Sequence, residues 1–413
     1  MDLPLRLPFL MDGATGTQLQ KQGMPLGACT EEWALAHSEI LLEVQRAYVD
    51  AGSAVLVAPT MGANESWLSR YGQAEHMEEY NRRLVALTRQ AAGGKALVAG
   101  DLGPTGLPAQ LRSEGSFESL VRVYTRQAAV LARSGVDLYL VECMTAMAEM
   151  RAAVLGIRAV APDKAILVTC CCDGEGRTPT GTDVLAAAIV MQGMGVAAFG
   201  LNCVEPVVVE EQLARLHLYV DLPLIALPSA GLPVMMDGQP VYRDAVGEFS
   251  ARVSKWAEAG VRIFGGCCGT HPGYIAALRE AMGRVQFEQL PPVCRDPDVI
   301  PCASEKEARF ITPDVDVGET IPCTPDLLED ILVAEEESPV GALRISILKQ
   351  DDLDFFAEYQ FAIRDALCIW SDVPELMERA LRLYQGRAFY DGTAELEPKI
   401  LRGLSDRYGL IVL

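Results

Sequence analysis

The 413-residue sequence lacks several features that would point to familiar classes of protein. Only four histidines occur and none is paired at a metal-binding spacing, so a histidine-rich metal site is not expected. The sequence has no G-x-G-x-x-G dinucleotide fingerprint and no P-loop lysine motif. No apolar run approaches the roughly 18 residues of a membrane span, so a membrane protein is not expected.

Positive charge is also scarce, because the formal net charge is −21. Nucleic acids and anionic membranes bind basic patches, so neither is expected as a partner. The apolar start, Met1 to Met11, has neither a basic leader nor a small-residue cleavage site. We therefore interpret it as a first strand and not as a signal peptide, and we expect a cytoplasmic protein.

Cysteine, in contrast, is plentiful, with twelve residues and no C-x-x-C motif among them. Disulfides are rare in a reducing compartment, so clustered cysteines predict metal binding or reactivity. Isolated cysteines are usually small core residues. We therefore expect Cys143 and Cys368 to pack in the core.

The first 285 residues alternate short apolar runs with longer stretches of helical periodicity. Eight runs are apolar nearly throughout, as parallel strands buried on both faces are. They are Leu7–Met11, Ala54–Ala58, Ala96–Ala99, Leu138–Val141, Ala165–Thr169, Ala197–Leu201, Pro223–Leu227 and Val261–Phe264. Eight strand–helix units are typical of a TIM (β/α)8 barrel, although an open doubly wound sheet also alternates in this way. We predict an α/β fold with a barrel over residues 1–285.

Two further regions follow the predicted barrel. Residues 286–340 are rich in proline, and we interpret them as a linker on the surface. Residues 341–413 resume the alternation and predict a small α/β domain with a partial parallel sheet. Its predicted strands are Ala342–Leu348, Ala366–Trp370, Arg387–Tyr390 and Leu410–Leu413.

Polar and thiol side chains directly follow the apolar runs of the predicted barrel. Active sites of TIM barrels lie at the carboxyl ends of the strands, so these side chains are expected to converge. They belong to Asp12, Thr60, Asp101, Glu142, Cys170-Cys171-Cys172, Asn202-Cys203, Ser229 and Cys267-Cys268.

Cys203 together with Cys267 and Cys268 forms the most specific pattern. Thiolates are good zinc ligands, and three of them leave one coordination position open, as in catalytic sites. Adjacent cysteines point to opposite faces of a regular strand. Cys267 and Cys268 therefore reach one metal only if the backbone turns sharply, which the flanking glycines permit. Core packing and a redox dithiol are the alternatives.

The other cysteine groups are weaker candidates. In the run 170–172, strand alternation places only Cys170 and Cys172 on one side, so packing is expected and a single metal-binding thiol is the alternative. Three cysteines of the predicted linker have irregular spacing. We expect surface or packing roles for them, with a second metal site as the alternative; they are Cys294, Cys302 and Cys323.

Five segments of the predicted barrel carry recognisable motifs. They are DGATGT at 12–17, TMGAN at 60–64, GDLGPTG at 100–106, GLNC at 200–203 and GGCCGT at 265–270. As an ordered set they resemble the homocysteine S-methyltransferase family, which includes betaine–homocysteine methyltransferases and the N-terminal module of cobalamin-dependent methionine synthase. The resemblance covers about residues 5 to 285.

This resemblance implies a TIM barrel that binds Zn²⁺ through three cysteines, with the sulfur of homocysteine as a further ligand. The three implied ligands are Cys203, Cys267 and Cys268. Four other residues are implied to contact the substrate: Glu142 and Asn202 near its amino acid group, with Glu142 pairing with the ammonium, and Asp12 and Thr60 in the same pocket.

The tail shows a second similarity. Residues 376–413 resemble an internal piece of the pterin-binding barrel that follows the homocysteine module in methionine synthases. The rest of the pterin site and an Asp-x-His-x-x-Gly cobalamin motif are not found in the 413 residues, so a complete single-chain methionine synthase is not expected. The implied methyl donor is methylcobalamin on a separate corrinoid protein. S-methylmethionine, S-adenosylmethionine and betaine are alternatives.

The predicted reaction is zinc-dependent methyl transfer to the thiol of homocysteine, which gives methionine. A free thiol has a pKa of about 8.5 and is mostly protonated at neutral pH. Zinc lowers the pKa of a bound ligand, and three thiolates keep the bound sulfur electron-rich. Glu142 would orient the substrate without moving a proton. A non-catalytic zinc-binding scaffold, with a closed four-ligand metal site, is the alternative.

Overall fold

The computed structural model describes residues 3–108, 113–236, 239–337 and 341–413. Its first part is an eight-stranded parallel sheet surrounded by helices. The strands of this part, including a short antiparallel hairpin of β8 and β9, are β1 (Phe9–Leu10), β2 (Val55–Val57), β3 (Leu97–Leu102), β4 (Leu138–Met144), β5 (Ile166–Cys170), β6 (Ala198–Asn202), β7 (Leu224–Leu227), β8 (Val234–Met236), β9 (Gln239–Val241) and β10 (Val261–Phe264).

The sheet closes into a barrel. Its strand order is β1-β10-β7-β6-β5-β4-β3-β2, and every pairing is parallel. A parallel bridge between Met11 and Val55 joins the two ends. The structure therefore confirms the predicted TIM barrel, with all eight predicted strands in place, and excludes the open doubly wound sheet.

Alternate residues of the strands build two apolar layers. Side chains such as Leu138, Leu140 and Ile263 form one buried cluster that fills the barrel interior. Tyr139 and Val141 belong to the larger cluster that packs against the helices. Strands buried on both faces therefore appear in the sequence as continuous apolar runs.

Helices cover the outside of the barrel. In α3, Leu41, Leu42 and Tyr48 are buried at helical spacing, and Gly52 ends the helix in the left-handed conformation, with φ of 113°. The helices of this part are α1 (Gly16–Lys21), α2 (Thr30–Ala36), α3 (Ser38–Ala51), α4 (Glu65–Ser69), α5 (Met77–Ala92), α6 (Glu114–Arg133), α7 (Met147–Val160), α8 (Val184–Gly193), α9 (Pro206–His217), α10 (Val246–Ser250), α11 (Val253–Glu258) and α12 (Pro272–Met282), with 3₁₀ turns at Ala74–His76 and Phe287–Gln289.

The tail is an open, five-stranded parallel sheet in the order β13-β14-β15-β16-β17, which confirms the predicted smaller α/β domain. Its elements are β13 (Thr320–Pro322), α13 (Leu327–Glu337), β14 (Ala342–Ser346), α14 (Gln350–Tyr359), a 3₁₀ turn at Gln360–Ala362, β15 (Ala366–Trp370), α15 (Pro374–Leu383), β16 (Phe389–Tyr390), α16 (Pro398–Tyr408) and β17 (Ile411–Val412).

The stretch 286–340 differs from the predicted surface linker. It contains an antiparallel hairpin, β11 (Ile300–Ala303) with β12 (Ala308–Ile311), and it supplies both β13 and α13 to the tail. These strands are three or four residues long, and two of them contain proline, which is tolerated at sheet edges. Such short segments carry too few residues for a periodic signal. Residues 338–340 of this stretch lie outside the described residues.

The tail packs against the barrel helices through buried polar contacts. Arg151 of α7 is fully buried and donates hydrogen bonds to the carbonyl oxygens of Leu381 (2.9 Å) and Arg382 (3.1 Å) at the end of α15. Two partly exposed ion pairs, Arg379 with Glu114 and Arg382 with Glu118, flank this contact. Within the described ranges, none of the helices is long and apolar enough to cross a membrane.

A thiol-rich candidate active site

A cavity of about 330 Å³ opens at the carboxyl ends of the barrel strands. Its lining combines acidic and thiol side chains with an apolar wall, and none of the described lining residues is a lysine, arginine or histidine. The acidic and thiol residues in the lining are Asp12, Glu31, Asp101, Glu142, Cys143, Cys203, Cys267 and Cys268.

The three cysteines predicted as metal ligands come together at this cavity. The Sγ atom of Cys203 lies 3.5 Å from that of Cys268, and the Sγ atoms of Cys267 and Cys268 are 4.0 Å apart. Four sulfurs around one zinc at about 2.3 Å would be separated by about 3.8 Å. The sulfur spacing therefore suits a tetrahedral metal ion.

Irregular backbone aims these thiols at one point. Cys203 follows β6 directly and has a positive φ of 55°, which turns its side chain out of the strand pattern. Gly269 has a φ of 83°, and Gly266 is so close to Thr270 that a Cβ atom there would lie 2.5 Å from the Thr270 hydroxyl. This turn allows the adjacent Cys267 and Cys268 to reach the same cavity.

A fourth cysteine joins the cluster. Cys143, predicted from the sequence to pack in the core, has its Sγ atom 3.6 Å from that of Cys203. The sulfurs of Cys143, Cys203 and Cys267 all lie within 4.8 Å of one another, close enough to share a metal ion. Cys143 also has a positive φ, of 56°, at a register shift of β4 between Val141 and Met144. The bulge directs its thiol to the barrel mouth.

Asn202 connects the thiols with an acidic side chain. Its Nδ2 atom donates to the sulfur of Cys143 (2.9 Å) and to Oε2 of Glu142 (3.3 Å), and its Oδ1 atom accepts from the backbone N–H of Cys143 (3.2 Å). The side chain is fully buried. Asn202, which was predicted near the substrate, thus lies behind the cavity and orients the groups that line it.

Three carboxyl groups lie beside the thiols: Asp12 and Asp101 are buried, and Glu142 is partly buried. Asp12 accepts a hydrogen bond from the backbone N–H of Val57 (2.9 Å), and burial raises the pKa of Asp12 well above its ordinary value. Burial, followed by the nearby Glu142, likewise raises the pKa of Asp101. Burial and the charge of Cys203 raise the pKa of Glu142 to about 7. Such a cluster favours a cationic ligand, which would stabilise the ionised carboxylates.

Hydrogen bonds among the thiols shift their pKa values. Hydrogen bonds from Cys143, then from Cys171 and Cys267, lower the pKa of Cys203. The pKa of Cys268 is raised, first because its thiol hydrogen-bonds to Cys203. The thiol cluster thus shifts the pKa of Cys203 and the pKa of Cys268 in opposite directions.

Thr60, the remaining predicted substrate residue, lies outside the lining of the cavity. It is fully buried, and its hydroxyl donates to the carbonyl oxygen of Asp101 (2.8 Å) and accepts from the Asp101 N–H (3.0 Å). The structure gives Thr60 a supporting position beneath Asp101.

The weaker cysteine candidates differ in their distance from the thiol cluster. In the run 170–172, the middle residue, Cys171, approaches the cluster, with its sulfur 3.9 Å from Oδ1 of Asn202. Cys170 is buried in β5. Among the residues that the structure describes, the three cysteines of 286–340 form no group able to share a metal; Cys294 is exposed, and Cys302 and Cys323 are buried.

Sequence reasoning missed two of the acidic and thiol residues that line the cavity, Cys143 and Glu31. Cys143 was missed because nothing in the sequence marks the left-handed residue at the bulge near the end of β4, where no glycine occurs. Glu31 was missed because it lies on α2, between strands; its Oε1 atom accepts from the N–H of Gly62 (2.9 Å). The adjacency of Cys143 to Glu142, already singled out at a strand end, was the available signal for the first.

A closed parallel barrel with acidic and thiol groups at its carboxyl end defines an α/β-barrel enzyme. The sequence model described as homocysteine S-methyltransferase matches residues 9–282, which is more than half of the chain. The chain belongs to the homocysteine S-methyltransferase family.

Individual relatives agree with this assignment. The chain is 29% identical over 299 residues to methionine synthase of Mycobacterium leprae, covering 68% of this chain and 25% of that protein. It is 29% identical over 294 residues to methionine synthase of Mycobacterium tuberculosis, covering 67% and 24%. The chain thus matches about a quarter of the length of these curated relatives.

A solved structure resembles the barrel. The homocysteine methyltransferase MmuM from Escherichia coli, in its metallated form, superposes with a TM-score of 0.56 at 25% identity. The match covers 66% of this chain and 95% of that one.

Proposed function

We propose that this chain transfers a methyl group to the thiol of homocysteine in a zinc-dependent reaction that gives methionine. The convergence of thiols and carboxyl groups at one barrel mouth is the observation that carries the proposal. The cavity contains both soft ligands for a metal and acidic groups that can bind an ammonium group.

The residues present fit a zinc ion. The three proposed ligands, Cys203, Cys267 and Cys268, have sulfur separations of 3.5 and 4.0 Å, near the about 3.8 Å of a tetrahedral zinc–sulfur site. When bound, zinc supplies a Lewis acid that lowers the pKa of a substrate thiol. Free thiols of this kind persist in a reducing compartment, which supports the proposed cytoplasmic location.

The acidic groups fit the amino group of homocysteine. Glu142 lines the cavity and shares the Asn202 amide with the thiol cluster. The Oδ1 atom of Asp101 is buried and has no hydrogen-bond partner. A substrate ammonium would satisfy this atom and offset the burial of the two carboxylates. Glu142 and Asp101 would then fix the amino end of the substrate, while Asp12 would lend a further negative charge.

For the methyl donor we propose methylcobalamin carried by a separate corrinoid protein. Support comes from the matched relatives named methionine synthase and from the similarity of the tail to a methionine-synthase neighbour. S-methylmethionine, S-adenosylmethionine and betaine are the competing donors.

A donor panel tests the proposal. Purified, zinc-loaded protein is incubated with homocysteine and, in separate reactions, each of the four donors, and methionine is quantified. We expect methionine with the methylated corrinoid protein alone. Methionine from a small-molecule donor would overturn the donor assignment only, whereas protein that binds no zinc, or makes no methionine from any donor, would contradict the reaction itself.

A further inference from the structure

The fourth thiol of the cluster has no part in the reaction described so far. Cys143 belongs to the group of three sulfurs, with Cys203 and Cys267, that lie within 4.8 Å of one another. Its separation of 3.6 Å from the Cys203 sulfur is close to the about 3.8 Å edge of a zinc–sulfur tetrahedron. Cys143 thus lies close enough to Cys203 and Cys267 to share a metal ion with them.

The backbone is built to hold this thiol in place. Among the described residues other than glycine, only Cys143 and Cys203 have a positive φ. The left-handed conformation costs a non-glycine residue on the order of 1–3 kcal/mol and persists only where the surroundings enforce it. Both residues that bear this cost are cysteines at the ends of β4 and β6, and their thiols meet at the same point.

The Cys143 sulfur accepts a hydrogen bond from the side-chain amide of Asn202. The Asn202 Nδ2–H donates to that sulfur at 2.9 Å, while the Asn202 Oδ1 atom accepts from the Cys143 N–H. A donated hydrogen bond favours the thiolate over the thiol, and metal ligands are commonly oriented by such outer contacts. Packing alone would not require a buried amide to be directed at a thiol.

We propose that Cys143 is a fourth, displaceable sulfur ligand of the metal, which fills the open coordination position until the homocysteine sulfur replaces it. This inference rests on the proposed zinc-dependent function. The bond between Cys143 and the metal breaks, and the bond between the homocysteine sulfur and the metal forms. The proton of the homocysteine thiol passes to the departing Cys143 thiolate, so the charge at the metal does not change.

The exchange would couple substrate binding to loss of a protein ligand. Four sulfurs surround the metal before and after the exchange, which protects it from water and from chelators in the resting enzyme. Because Glu142 and Cys143 are adjacent and share the Asn202 amide, an ammonium bound at Glu142 would place the homocysteine sulfur next to the thiol that it replaces.

X-ray absorption at the zinc edge tests the proposal on the full-length protein under reducing conditions. Wild type is expected to show four sulfurs at about 2.3 Å, and Cys143→Ser three sulfurs and one lighter atom. The control Cys171→Ser, which removes a neighbouring thiol, should keep four sulfurs. If Cys143→Ser fails to fold, Cys143→Gly, which suits the left-handed backbone, replaces it.

Selenohomocysteine then distinguishes a displaceable ligand from a permanent one. Wild type should change from four sulfurs to three sulfurs and one selenium. Chelator competition should show that Cys143→Ser holds zinc more weakly, by at least the about 10- to 100-fold that loss of an outer contact costs. Three sulfurs in the wild-type resting site, or four sulfurs with no selenium after addition, would overturn the role of Cys143. If the wild-type site has three sulfurs and then gains selenium, the proposed function stands without the role of Cys143. If the protein binds no zinc, both the proposed function and the role of Cys143 are contradicted.

Discussion

The barrel and the tail are both parallel α/β sheets with cysteines at their strands, yet among the described residues only those of the barrel bring thiols close together. In the barrel, Cys143 and Cys203 leave β4 and β6 through left-handed turns and face each other across the mouth. In the tail, Cys368 lies inside β15 and Cys323 directly follows β13, and burial raises the pKa of each thiol to about 12.

The site is therefore created by closure of the sheet and by irregular local backbone, and not by the number of cysteines. A closed barrel places the ends of all its strands around one circle, so residues from β4, β6 and β10 can meet. An open sheet of five strands places its strand ends in a row. Cysteines on regular strands then point alternately into the two faces and are absorbed by packing.

The largest expected effect separates the two sets of cysteines. Cys203→Ala should abolish zinc retention and reduce methyl transfer by more than about 100-fold, because loss of a ligand exceeds the 10- to 100-fold cost of losing an outer contact. Cys368→Ala should keep zinc and activity and lose about 1 kcal/mol of stability. Zinc stoichiometry and methionine formation are measured for both. Full zinc content in Cys203→Ala would end the metal assignment.

The next effect concerns the contact between the two regions. Arg151→Leu should lower the free energy of unfolding by about 2–4 kcal/mol, because two buried carbonyl groups of α15 lose their donor. Zinc content should not change. Urea denaturation measures the loss, and Arg126→Leu on the exposed face of α6 is the control. An unchanged midpoint would mean that other contacts hold the tail in place.

A smaller effect, on substrate binding, is expected at the acidic side of the barrel cavity. Glu142→Gln should raise KM for homocysteine about 10- to 100-fold, since the neutral amide loses a charged contact to the substrate ammonium. Zinc content and KM for the methyl donor serve as internal controls. An equal rise in both KM values would indicate a general disturbance of the barrel mouth and not a specific substrate contact.

Much of this comparison could be predicted from the sequence. All eight barrel strands were found, because a strand buried on both faces is a continuous apolar run. Cys203, Cys267 and Cys268 were found together because glycines flank them at strand ends. The short strands of 286–340 were missed, since segments of three or four residues that contain proline carry no periodicity.

The positions of Cys143 and Cys171 were not predicted from the sequence, for a different physical reason. Strand alternation was expected to bring Cys170 and Cys172 to one side, but the strand ends at Cys170 and Cys171 points to the cluster. Cys143 was assigned to the core because its left-handed turn and bulge leave no mark in the composition. Sequence patterns describe regular strands, and the site is built where the strands stop being regular.

The smallest effect is expected for a partly exposed ion pair between the barrel and the tail. The pair Arg382–Glu118 is only partly buried, with 26% and 38% of the side chains exposed, so solvent screens it. A double-mutant cycle of Arg382→Met and Glu118→Gln should give a coupling energy of at most about 1 kcal/mol, smaller still at high salt. Coupling as large as the Arg151→Leu loss would contradict the view that the buried arginine dominates this interface. Partly exposed charges would then hold the two regions together, and the tail should detach from the barrel as the salt concentration rises.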